Sequence, residues 1–173
     1  MAETMDVAMP TTVFGLLERL QAAEYRDLEA LIEDGERWTY GQLMERVNRL
    51  ASVLWGRFGI RPGDKAVLAF YNQTEFFVGL FALRKIGAVA VPLNIMMAQD
   101  DVLYVVMNAD AKLVLAEAEL IAKLAAQIGR TQFALPVVVA GAPDDFPMPL
   151  PRWNDLLAEG DPDFQPPEPI PQD

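Results

Sequence analysis

The chain has 173 residues, room for one domain with a sizeable core. Its 25 acidic residues against 14 basic ones leave a net charge of −11, which argues against nucleic acid and against an anionic membrane surface as partners. There is no cysteine, so no disulfide or thiolate chemistry, and no histidine, the commonest general base and metal ligand.

Met1 to Pro10 is a lead-in with Glu3 and Asp6 and no basic segment before an apolar core, unlike a secretory signal. No apolar run approaches the ~18 residues of a membrane span. The expected location is cytoplasmic, which the lack of cysteine fits. Thr11 or Thr12 can cap a first helix that carries Phe14, Leu17 and Leu20 on one face. Leu28 to Glu33 is strand-like, Asp34-Gly35 is a two-residue turn, and Glu36 to Thr39 returns. The turn tolerates positive φ, so it predicts a hairpin pairing Leu31-Ile32 with Arg37-Trp38. Glu33, Asp34 and Glu36 read as solvated turn charges in preference to an acidic site. Thr39 and Gln42 have capping-box spacing. The helix they open has a buried stripe of Leu43, Val47, Leu50, Ala51, Leu54 and Phe58, and Gly59 can end it.

Arg61-Pro62-Gly63-Asp64 turns the chain into the central stretch, Lys65 to Asn94. Ala66 to Tyr71 is a short apolar run, as expected of a strand buried on both faces. Thr74 can cap the next helix, Glu75 suits its positive end, and Arg84 and Lys85 suit its negative end. Phe76, Phe77, Leu80, Phe81 and Leu83 make that helix apolar over a wide arc. Gly87 is the expected left-handed stop, and Ala88 to Leu93 a second strand. Strand, helix and strand make a right-handed βαβ unit.

Beyond it, Asp100 or Asp101 starts a helix through Leu103, Val106 and Met107. Lys112 to Ala116 is a third parallel strand. Leu120, Ile121, Leu124 and Ile128 mark a helix ended by Gly129. Pro136 to Ala140 is a fourth strand, and Arg152 to Glu159 a short helix. Nine of the thirteen prolines lie beyond Ala142. Proline cannot donate to a strand ladder, so this tail is expected as an extended linker. The fold class is therefore α/β: a mostly parallel sheet flanked by helices, with an N-terminal β-hairpin. Residues 1–142 form the α/β unit and residues 143–173 a proline-rich segment.

Neither a GxGxxG nor a GxxxxGK[ST] phosphate loop occurs. The only serine, Ser52, lies inside a helix. Trp153 reads as packing. No residue is assigned a catalytic, cofactor-binding or metal role. In open parallel sheets ligands bind beyond the carboxyl ends of strands. Tyr71, Asn72, Gln73 and Thr74 follow the first central strand there; Pro92, Leu93 and Asn94 end the second. They are either the rim of a substrate channel or simply a helix cap and two turns.

Two segments carry a resemblance. Leu83 to Asn94 (LRKIGAVAVPLN) resembles the second core motif of the adenylate-forming superfamily, which holds acyl-CoA synthetases, luciferases and peptide-synthetase adenylation domains. Trp38 to Leu54 (WTYGQLMERVNRLASVL) resembles the block just upstream, and the similarity runs from about Leu28 to about Leu115. Val91-Pro92-Leu93-Asn94 is similar to the acyl-CoA branch, although Ile95 stands where that branch often has proline. The resemblance implies the N-terminal subdomain of a larger acyl-CoA synthetase, a fatty acid–CoA ligase of long-chain type. The acid would attack the α-phosphate of ATP, and CoA would displace AMP from the acyl adenylate. ATP, Mg and CoA are implied for the full-length enzyme and none for these residues. The family's phosphate loop, nucleotide contacts and lid lysine come later in its sequences, so the 173 residues alone are expected to be inactive. The implied partners are the remainder of the polypeptide and a carboxylic acid; a homodimer stays open. A free-standing α/β small-molecule-binding or interaction domain without ligase activity is the competing reading.

Overall fold

The computed structural model describes residues 13–94, 96–121 and 136–167. Helix α1 (Val13–Leu20) and the one-turn α2 (Ala23–Arg26) lead into a hairpin of β1 (Glu29–Glu33) and β2 (Glu36–Thr39). Leu31 faces Trp38, Ile32 faces Arg37 and Glu33 faces Glu36, the pairing that the Asp34-Gly35 turn predicts. Asp34 and Gly35 both have positive φ, 48° and 85°, so the turn follows the twist of its strands.

Helix α3 (Tyr40–Gly56) opens on the expected capping box. The Gln42 N–H donates to the Thr39 hydroxyl at 3.3 Å, and the Thr39 N–H donates to the Gln42 side-chain oxygen at 2.9 Å. The helix stops at Gly56, short of the expected Gly59. Gly59, at φ 65°, instead redirects the chain after the end, where the Ile60 N–H returns to the Leu54 carbonyl at 3.0 Å.

Strands β3 (Lys65–Ala69), β4 (Val89–Pro92), β5 (Ala111–Glu117) and β6 (Val137–Ala140) form a parallel sheet in the order β4-β3-β5-β6. Alternation along β3 serves both faces, as a central parallel strand requires. Ala66, Leu68 and Phe70 turn toward the layer of α3 and α4 (Thr74–Lys85). Val67 and Ala69 turn toward Val102 and Val106 of α5 (Gln99–Asn108). Helix α4 ends as expected: Gly87 has φ 70°, the Ala88 N–H reaches the Leu83 carbonyl at 2.9 Å, and the Gly87 N–H reaches the Arg84 carbonyl at 3.1 Å. That is a Schellman closure around a left-handed residue. Helix α5 begins at Gln99 behind an extended Ala98 with no side-chain cap, not on Asp100 or Asp101. The extended backbone of Ala98 starts the helix early enough to leave Asp101 inside its first turn. Of the helix expected from Leu120 to Gly129, only buried Leu120 and Ile121 lie among the described residues.

Two features concern the far end of the chain. Lys85 lies in the last turn of α4 as expected, and there it is 1% exposed, its amine donating to the Gln165 side chain at 3.2 Å. The stretch expected as linker is packed as far as Gln165. Phe146, Met148 and Leu150 cover the α5 side of the sheet. Helix α6 (Trp153–Glu159) inserts Trp153, Leu156 and Leu157 into the other core, where Trp153 meets Phe70 edge-on at 5.6 Å. The chain then crosses α3: Arg49 donates to the Gly160 carbonyl at 2.9 Å, the Asp161 N–H to Ser52 Oγ at 2.9 Å, and Asn48 to the Pro162 carbonyl at 2.6 Å. Prolines exclude this stretch from strands but not from packing, because the apolar residues between them still gain by burial.

Two glycines test this architecture. A Cβ on Gly160 would stand 2.2 Å from the Arg49 carbonyl oxygen, so Gly160→Ala must push the tail off α3. The expected loss is about 1–3 kcal/mol in denaturant unfolding. Gly87→Val forces a β-branched residue to positive φ and should cost about 1 kcal/mol or more. Unfolding midpoints equal to wild type for either variant would contradict these contacts.

Candidate functional site

The chain passes from β3 to β4 on one side of β3 and later places β5 on the other. The carboxyl ends of β3 and β5 therefore flank the topological switch point, where open α/β sheets bind ligands. The residues singled out from the sequence lie at this end of the sheet. Leu68 is in register with Pro92, so the segments leaving β3 and β4 emerge side by side. Tyr71 and Asn72 are exposed, Gln73 is half-buried and Thr74 is 2% exposed. Pro92 and Asn94 are exposed and Leu93 is buried, its N–H bonded to the Leu68 carbonyl at 2.8 Å. Asn94 closes a turn by accepting from Met96 N–H at 3.0 Å through its side chain. Leu93 and Thr74 thus hold the backbone, while Tyr71, Asn72 and Asn94 present side chains.

Thr74 does not cap its own helix as expected. The N-cap is Gln73, and it makes no side-chain cap bond. The cap comes from Glu33 in the hairpin. Its carboxylate accepts from the Thr74 N–H at 3.1 and 3.2 Å and from the Thr74 hydroxyl at 2.5 Å. A carboxylate at a helix N-terminus is favoured by the dipole and by the free N–H groups. A second carboxylate, Glu117 at the end of β5, accepts from the Tyr71 N–H at 2.9 Å. The sequence reads Glu33 as a solvated turn charge, which these bonds correct, and it does not single out Glu117. The strand-end rule could have found Glu117; nothing near Glu33 announces a partner 41 positions away.

Burial pushes the Glu117 carboxyl above the ordinary range, the Tyr71 N–H pulls it back, and the neighbouring Glu119, Glu75 and Glu33 push it up again. At the opposite edge Asp64 is held low. Its burial is outweighed by a bond from Lys112 at 2.7 Å, the Arg61 N–H and both nearby cations.

This edge does not fit a triphosphate or its magnesium. The N-terminus of α4, where a phosphate would sit in a dinucleotide fold, already holds Glu33. Arg152 lies by a cavity of about 470 Å³ beyond β6, but its guanidinium is engaged by the carbonyls of Ala142, Pro143 and Asp144 at 3.0–3.1 Å. Among the described residues no group of three or more acidic, His or Cys side chains could hold a metal ion. What the edge offers is a rim of neutral polar groups backed by carboxylates.

The hairpin, the parallel sheet and its flanking helices match the N-terminal subdomain of adenylate-forming enzymes. In the solved anthranilate CoA ligase AuaEII, in complex with anthranoyl-AMP, the match has a TM-score of 0.80 at 20% identity, covering 92% of this chain and 30% of that one. The AMP-binding enzyme family profile matches residues 19–173, and the chain belongs to that family. An oxalate–CoA ligase of Arabidopsis thaliana is 34% identical over 109 residues, 62% of this chain and 21% of the ligase. A crotonobetaine/carnitine–CoA ligase of Escherichia coli O1:K1 is 35% identical over 83 residues, 48% of this chain and 16% of the ligase. The chain therefore spans less than a third of the length of these relatives. No helix among the described residues is long and apolar enough to cross a membrane.

The two carboxyls give opposite pH signatures. Glu117, raised in the fold, destabilises it when ionised, so its penalty is present at neutral pH and is relieved as pH falls through its folded value toward the ordinary 4.5. Glu117→Gln should raise the urea midpoint at pH 7, with the gain shrinking under acid. Asp64, lowered in the fold, contributes stability above its ordinary 3.8 that is lost as pH falls through its folded value. Asp64→Asn should lower the midpoint at pH 7, and that deficit should also shrink under acid. The reverse sign at neutral pH for either variant would contradict its assignment.

Proposed function

We propose that these residues form the N-terminal part of an ATP-dependent acid–thiol ligase that makes acyl-CoA from a carboxylic acid through an acyl adenylate. The observation that carries it is the union of the family match with a sheet whose switch point is braced by its own carboxylates. In this reading ATP, magnesium and CoA act with the rest of the enzyme, since the carboxylates at this edge would repel the phosphates of ATP and CoA and the described residues gather no set of ligands for the metal. Transfer at phosphorus depends on positioned cations and backbone donors, and the role here is scaffold and channel wall. Tyr71, Asn72, Gln73, Pro92 and Asn94 line the acid's approach, Thr74 and Leu93 hold the backbone behind them, and the remainder of the polypeptide is the partner. The named relatives act on chemically diverse acids; a fatty acid is our choice, on the strength of Val91-Pro92-Leu93-Asn94. A cytoplasmic setting follows from a free acid and CoA as substrates.

The test is ATP–pyrophosphate exchange. Residues 1–173 alone should give none with any fatty acid, because losing every phosphate-binding group abolishes the rate instead of trimming it. The complete polypeptide should give exchange with fatty acids and then consume CoA. Exchange by the 173 residues would reveal a nucleotide site in them. Thioester formed only from aromatic or short dicarboxylic acids would refute the fatty-acid choice and leave the ligase reading standing.

A further inference from the structure

We infer that Glu33 is a positioning residue for the acid-facing rim, holding the β3–α4 turn from the hairpin; this rests on the ligase reading above. The turn is fastened at two points and free between them. Glu117 takes the N–H of Tyr71 and Glu33 takes the N–H and hydroxyl of Thr74. Only Asn72 and Gln73 lie between, and both carry polar side chains at the exposed edge. The first fastening comes from a neighbouring strand of the same sheet. The second comes from a separate two-stranded sheet, so the shape of the rim depends on where the hairpin sits.

The choice of cap is the argument. A Ser, Thr, Asp or Asn at position 73 would satisfy the α4 N-terminus locally. Gln73 leaves it open, and the bond is made instead by the carboxylate of Glu33, which lies near enough to Glu117 to act on its charge. Crowding like charges is unfavourable. What the distant cap adds is coupling: the Asp34-Gly35 turn sets Glu33 opposite Glu36, Glu33 sets Thr74, and Thr74 sets Asn72 and Gln73. A one-residue slip in the hairpin would turn Glu33 to the other face and release the rim.

Hydrogen exchange and steady-state kinetics test this together. In the 173-residue chain, Glu33→Gln should speed amide exchange across residues 72–76 by roughly tenfold or more, the weight of a charge-assisted bond, and leave β3 and β5 protected. Thr74→Val, which drops only the hydroxyl bond, should give a smaller rise, and Thr74→Ser should restore wild-type exchange. In the complete polypeptide, Glu33→Gln should raise KM for the acid by roughly tenfold and leave KM for ATP unchanged. Unaltered exchange over 72–76 in both Glu33→Gln and Thr74→Val overturns the inference. Equal shifts in both KM values also overturn it, since they describe a general loss of structure. Failure of the wild-type polypeptide to form any thioester overturns the ligase reading itself, whereas thioester formation with an unmoved acid KM in Glu33→Gln overturns the positioning role alone.

Discussion

A parallel strand paired on both edges must be covered on both faces, and β3 imposes that condition on everything around it. Its residues from Ala66 to Phe70 are all 4% exposed or less. Burying each such side chain contributes about 1.5–3 kcal/mol for the larger ones, so the two layers of helices account for much of the stability. On one face α3, α4 and α6 share a core; on the other α5 closes a smaller one with help from Phe146, Met148 and Leu150. The tail belongs to this requirement. With α4 over β3 and β4, the area over β5 and β6 would be open on that face, and Trp153, Leu156 and Leu157 fill it.

The same condition limits where function can be. With both faces covered and the edges of β3 paired, only the strand ends are left for a ligand. At the amino-terminal end Asp64 and Lys112 close on each other. At the carboxyl end the backbone donors that usually attract phosphate are already taken by Glu33 and Glu117. A helix N-terminus satisfied by the protein's own carboxylate is a structural joint, and a phosphate placed at the start of α4 would meet the charge of Glu33.

Legibility followed range. Several features set by residues within about five positions of one another were readable: the Asp34-Gly35 turn from its φ requirement, the Thr39–Gln42 box from its spacing, the Gly87 closure from the one residue that enters the left-handed region without penalty; the end of α3 and the start of α5 fall a few residues from where the sequence places them. The strands of the sheet were readable because burial on both faces leaves continuous apolar runs. Elsewhere a distant group changes what a local one does. Thr74 has the chemistry of an N-cap, but the helix opens one residue earlier, at Gln73, and the Thr74 hydroxyl and N–H both donate to the Glu33 carboxylate. Lys85 has the chemistry of a helix C-terminal cation and sits in the last turn of α4, and the returning tail covers it. The prolines beyond Ala142 were informative about backbone and silent about the apolar residues among them.

The candidate site divides along the same line. The rim residues were found because the position of a strand end is a property of the strand. Their braces were not, because Glu33 and Glu117 act through hydrogen bonds to groups 41 and 46 positions away, which leave no periodicity to detect. A surface carboxylate that accepts no backbone bond has the same local sequence as one that does. Composition even pointed the wrong way: with 25 acidic residues in the chain, any one of them reads as solubility. What separates Glu33 from the others is geometry, a turn of fixed hand that puts it on the inner side of a hairpin facing a helix whose own first residues leave the cap undone. The hairpin is thus more than an appendage packed beside the sheet. Its two-residue turn and the β3–α4 turn are successive parts of one hydrogen-bonded path, and the conformation of exposed Asn72 and half-buried Gln73 is set at its far end.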